Sequence, residues 1–200
     1  MKNIDFTKAN GLVRNFLHST KISKKRAILV RSCENQGNLS GTIAGWTDMK
    51  LTDYGRRQAF MLNQIYAQNE AMINQIHSSD LQRCVDTAFY ALGFPSNDNL
   101  IQTTKNLREM NFGEQEGLHF DGLSASEKEV ISSPDYQAPG GESWPVVRER
   151  QEAYFGGLAN GTHLIFTHGG PIAAQLSEFG IESIPSNGSI FGVTFDETNI

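Results

Sequence analysis

Apolar residues along the chain fall alternately into short unbroken runs and into stripes at helical spacing. "AILVR" (27–31) and "HLIFT" (163–167) are continuous runs, the pattern of strands covered on both faces. "MINQIHSS" (72–79) and "SIFGVTFD" (189–196) read as further strands. Between them, "LTDYGRRQAFMLNQIYAQ" predicts a helix capped by Thr52 or Asp53, with Ala59, Leu62, Ile65 and Tyr66 on one face. "SDLQRCVDTAFYALGF" predicts another, with Ser79 or Asp80 as cap, Leu81, Val85, Ala88 and Leu92 as its stripe, and Gly93 as its stop. Gly93, Pro95 and Asn97 then turn the chain. A third helix runs from about Ser143 to Leu158, and "GGPIAAQLSEFG" gives a fourth, with Pro171 in its first turn and Ile172, Leu176 and Phe179 facing inward. Residues 106–141 read as a long loop of the kind that binds or covers a ligand. Strands alternating with helices predict an α/β fold, three-layered and doubly wound around a mainly parallel sheet.

Two hundred residues suffice for one well-cored domain, expected over residues 27–200. No apolar stretch approaches the roughly 18 residues of a membrane span. Cys33 and Cys84 follow no ligand or redox spacing, so neither a zinc site nor a disulfide framework is expected, and a reducing intracellular compartment fits. The net charge of −5 divides unevenly: residues 1–26 carry seven Lys or Arg against Asp5 alone, a local +6. This acid-poor basic arm, with Phe6, Leu12, Val13, Phe16 and Leu17 apolar, is expected to target the chain, with mitochondria favoured over cytoplasm, or to dock it on a protein assembly. A solvated tail is the simpler alternative. The acidic body argues against nucleic acid as a partner.

In doubly wound sheets, ligands sit beyond the carboxyl ends of the strands. Reading off those positions gives Arg31 after "AILV", Arg83 in the first helical turn after "IHSS", and His168 after "LIFT". Two guanidiniums and an imidazole near helix N-termini make a phosphate or carboxylate pocket. His77 reads as structural, and His18, His119 and His163 as surface or loop residues without metal spacing. Trp46 and Trp144 read as packing residues, and Glu114 and Glu116 as loop-structuring ones.

At these residues the chain resembles the histidine phosphatase superfamily, the phosphoglycerate-mutase-like group. "LVRSCEN", "GWTDMKLTDYGRRQA", "SSDLQRCVDTA", "LREMNFGEQEG", "PGGES" and "FTHGGPI" follow that group's motifs in order, from about Ala27 to Asp196. The resemblance implies that Arg31, Arg83 and His168 hold a phosphoryl group and that Glu109 protonates the leaving oxygen. This division suits a transfer whose equatorial oxygens need neutralising, and the resemblance implies no metal and no organic cofactor.

The family's nucleophile is the histidine that follows the first arginine, with a glycine next. Here those positions hold Ser32 and Cys33. A serine hydroxyl falls roughly two ångströms short of an imidazole nitrogen, and a misplacement of about 1 Å can cost a hundredfold. Cys33 has no arginine at the spacing of a cysteine-phosphatase loop, and along the strand it should point away from Ser32. The expectation is therefore a catalytically degenerate protein that keeps a phosphate or phosphoester pocket and serves as a binding or structural subunit. An active phosphomonoesterase or mutase-like phosphatase, with rerouted chemistry or a substituted nucleophile, is the alternative.

Overall fold

The computed structural model describes residues 6–19, 25–94, 100–177 and 184–195. Pro95, Asn97 and Phe179, together with residues 1–5 and 20–24 of the arm, lie outside them, as do the side chains of 6–11. Five strands, β1 (Lys25–Arg31), β2 (Gln75–Ser79), β3 (Ile101–Thr104), β4 (Gly161–Thr167) and β5 (Ile190–Phe195), form one sheet in the order β3-β2-β4-β1-β5. The first four are parallel, and β5 adds antiparallel to β1 at the edge.

Alternation along β1 explains why the sheet needs helices on both sides. Ile28 and Val30 pack into one core with α3 (Asp53–Asn69) and α4 (Gln82–Ala91), while Ala27 and Leu29 pack into another with α6 (Trp144–Gly156) and α7 (Gly169–Leu176). Ile28, Leu29 and Val30 each contribute about 2 kcal/mol through burial. The loop expected over 106–141 contains a short helix, α5 (Ala125–Ile131), and builds a third core from Met110, Ile131, Tyr136, Ala138 and Val147. Between β1 and α3 a one-turn helix, α2 (Gln36–Ser40), starts from an Asn35 capping box.

The basic arm is partly structured. Its helix α1 (Phe6–His18) lays the buried Val13 and Leu17 into the α3–α4 core and leaves Leu12, Arg14 and His18 exposed. Lys25 and Arg26, expected at the end of the arm, pair with Gly161 and Thr162 as the first residues of β1. Their charges are accommodated locally. Lys25 Nζ donates to the carbonyls of Phe155 and Gly156 at the end of α6, where helix carbonyls lack partners. Arg26 donates to Thr162 Oγ1 and to the Leu17 carbonyl, tying α1 to the sheet.

Thr52 caps α3, its Oγ1 accepting from Gly55 N at 2.9 Å. The cap of α4 differs from expectation. Leu81 is the N-cap residue and makes no side-chain bond, because Asp80 is drawn into an ion pair with Arg108 and Ser79 lies inside β2. Asp48, from the loop before α3, takes over by accepting from Gln82 N at 2.9 and 3.1 Å. No helix among the described residues is long and apolar enough to cross a membrane.

Candidate functional site

Arg31 is the last residue of β1, and Ser32 N donates to the Thr167 carbonyl at 2.8 Å, which holds the end of β1 against the end of β4. His168 follows β4 directly as the N-cap residue of α7. Arg83 sits in the first turn of α4 and reaches across to it, Nε donating to His168 Nδ1 at 3.2 Å. The structure therefore brings the sequence-predicted Arg31, Ser32, Arg83, Glu109 and His168 to one place at the carboxyl edge of the sheet.

The hydrogen bonds fix the protonation of His168. With Nδ1 accepting from Arg83, Nε2 carries the proton and donates to Ser79 Oγ at 2.8 Å. Burial, and then the positive charges of Arg83 and Arg31, hold its pKa well below the usual imidazole value, so the ring is neutral. Arg31 is lowered by burial while Glu109 opposes the shift. Its Nη1 donates to the Pro185 carbonyl, and its buried Nε has no hydrogen-bond partner among the described residues. Arg83 makes two further bonds, both to backbone, Nη1 to Thr47 O at 3.0 Å and Nη2 to Gly45 O at 2.6 Å, which leaves two of its five N–H groups open.

Glu109 is held from both ends. Its Oε2 accepts from Gly170 N at 3.2 Å and its Oε1 from Met110 N at 3.0 Å. The first contact needs a glycine, since a Cβ at position 170 would stand 2.4 Å from Glu109 Oε1. The Glu109 carbonyl accepts from Trp46 Nε1 at 2.8 Å and from Arg150 Nη2 at 2.9 Å. Arg150 in turn grips Glu142, and Arg108 stacks over Trp46 with 4.7 Å to the ring centroid. Trp46 and Trp144 both pack here, Trp144 edge-on to Phe112.

Position 32 presents no imidazole. Ser32 is buried beside the Cys84 thiol, whose sulfur lies 3.2 Å from the Thr167 carbonyl and 3.4 Å from His168 Nε2. Burial pushes the Cys84 thiol far above its ordinary range, so it is no thiolate. Cys33 turns away from Ser32 into the α3–α4 core, where burial pushes its thiol up to about 12 and Thr87 Oγ1 accepts from its N–H at 3.0 Å.

Two features escaped sequence reasoning. The carbonyls of Gly45 and Thr47, which aim Arg83, belong to backbone and leave no residue-type signal. The second is a buried relay away from the site. His163, expected at the surface, is enclosed in β4 beside His77 because each imidazole satisfies the other. His163 Nε2 lies 2.9 Å from the Ala159 carbonyl, which can only accept, so its Nδ1 accepts from His77 Nε2 at 3.0 Å. His77 Nδ1 then accepts from the Tyr154 hydroxyl at 2.9 Å, beside an open cleft of about 500 Å³.

The parallel sheet, its helical layers and the Arg31, Arg83 and His168 cluster at its carboxyl edge define a phosphoglycerate-mutase-like α/β protein. The chain belongs to the histidine phosphatase superfamily, branch 1, whose family model matches residues 27–191. It is 30% identical over 165 residues to a glucosyl-3-phosphoglycerate phosphatase of Mycolicibacterium vanbaalenii, covering 75% of this chain and 72% of that protein. The crystal structure of a phosphoglycerate mutase from Thermus thermophilus superimposes with a TM-score of 0.70 at 33% identity, over 84% of this chain and 92% of that one. A mycobacterial glucosyl-3-phosphoglycerate phosphatase shares the fold, with a TM-score of 0.74 at 22% identity over 85% and 92% of the two chains.

Proposed function

We propose that this protein is a catalytically silent member of its superfamily that binds a phosphate or phosphoester without turning it over, and that it acts as a binding or structural subunit. The observation that carries the reading is the environment of Ser32. Ser32 is buried beside a protonated thiol, and both nitrogens of His168 are engaged, by Arg83 and by Ser79. Among the described residues no base is hydrogen-bonded to the Ser32 hydroxyl, and a hydroxyl without a partnered base is a weak nucleophile.

The binding half of the machinery is intact. The unpartnered Nε of Arg31 and the open N–H groups of Arg83 are the donors that a phosphoryl oxygen takes, and the fork geometry of guanidinium suits it. Glu109 stands where the family's proton donor stands, and with no phosphoenzyme to form it has no leaving group to protonate. Arg14 and His18 are exposed on α1, and we assign this part of the basic arm to contact with a protein partner.

Titration with inorganic phosphate by calorimetry, beside hydrolysis of para-nitrophenyl phosphate, tests the reading. Saturable binding that weakens at least tenfold in Arg83→Gln, with no hydrolysis above background, is the expected outcome. Hydrolysis that disappears in Glu109→Gln or Ser32→Ala would refute it and establish a surviving phosphatase.

A further inference from the structure

The Glu116 carboxylate accepts four hydrogen bonds and pairs with no cation among the described residues. Oε1 takes Trp46 N at 2.7 Å and Phe112 N at 3.2 Å, and Oε2 takes Thr47 N at 2.7 Å and Thr47 Oγ1 at 2.6 Å. Three of these donors belong to a two-residue segment, so the carboxylate sits in a cradle formed by successive N–H groups. The fit is tight. Gly45, at φ 50°, has no Cβ, and one placed there would lie 2.1 Å from Glu116 Oε1.

The cradle lies directly behind the acceptors of Arg83. Trp46 N–H and the Gly45 carbonyl share one peptide unit, so with the N–H on Glu116 that carbonyl faces the other way and receives Arg83 Nη2, and the Thr47 carbonyl, at the end of the cradled segment, receives Nη1. The same segment ends in Asp48, which caps α4 one residue before Arg83, and its Trp46 indole holds the Glu109 carbonyl. Glu116 itself contacts neither Arg83 nor His168.

We propose that Glu116 is a positioning residue for the anion site: its charge orders the Gly45–Thr47 carbonyls and so fixes the direction in which the Arg83 guanidinium presents its free N–H groups. The inference rests on the phosphate-binding reading for its consequence and on geometry alone for its mechanism. Its sign separates it from simple electrostatics. Removing a negative charge near an anion site should tighten anion binding, whereas loss of positioning loosens it.

The experiment compares the full chain with Glu116→Gln, with the milder Thr47→Val, and with Glu114→Gln as an exposed neighbour. The Arg83 Nε–H cross-peak in nitrogen-15 NMR, assigned by its loss in Arg83→Lys, reports the guanidinium directly. It should shift and exchange faster in Glu116→Gln, move less in Thr47→Val, and stay in place in Glu114→Gln. An unmoved peak in Glu116→Gln overturns the proposal. Inorganic phosphate should bind about tenfold more weakly to Glu116→Gln, and the same substitution should change little in an Arg83→Lys background. Equal weakening in both backgrounds would mark a merely structural role, and tighter binding would mark a charge effect. If the native protein takes up no phosphate, the functional reading fails, while the Arg83 resonance still decides the positioning role.

Discussion

The Tyr154–His77–His163–Ala159 relay makes the stability of this protein depend on pH in a way that one substitution can isolate. The ring of His77 is enclosed, and burial, followed by repulsion from His163, lowers its pKa from 6.5 to about 4. The unfolded chain therefore binds a proton that the folded chain refuses between those values. The stability this group contributes is fully present above pH 6.5 and is lost as pH falls toward 4. Integrating over that shift, the loss between about pH 7 and about pH 5 is about 2 kcal/mol from His77 alone. His168 is lowered in the same direction and adds to the total. In His77→Gln the side chain keeps a donor and an acceptor but does not titrate, and His168 remains. Urea unfolding at the two pH values should show native protein losing about 2 kcal/mol more than the variant on acidification. Parallel losses in the two proteins would refute the assigned protonation of the relay.

Leu17 lies at the α1–sheet contact with almost no exposure, so Leu17→Ala should destabilise the whole domain by about 3 kcal/mol in urea unfolding. A change within error would show that α1 is dispensable to the fold. Cys33 and Cys84 are both fully enclosed with raised pKa values, so Ellman's reagent at mildly alkaline pH should label neither thiol in the native protein and both in urea. Labelling of the folded chain at the rate of a free thiol would remove the ground for treating position 84 as protonated.

Much of this architecture is determined locally and was therefore readable along the chain. The unbroken run Ala27–Val30 can only be a strand covered on both faces, and the stripe of Ala59, Leu62 and Ile65 can only face inward from a helix. The side-chain types at the strand ends placed Arg31, Arg83 and His168 together, because a parallel sheet returns every carboxyl end to the same edge. The departure at Ser32 and Cys33 is likewise visible in sequence alone.

Other features depend on partners distant in the chain. Asp80 looks like a helix cap until Arg108 claims it, and Asp48, 34 residues before Gln82, supplies the cap instead. His163 is a polar residue at the head of an apolar run, and it is buried because the fold sets His77 beside it and a carbonyl behind it. The direction of Arg83 is decided by two backbone carbonyls, and those by the Glu116 charge some 70 residues away. Sequence by itself determined which side chains reach the carboxyl edge, since periodicity and strand polarity are short-range. Tertiary structure alone decided how each one is satisfied, since a buried polar group takes whichever partner the packing brings within hydrogen-bond distance.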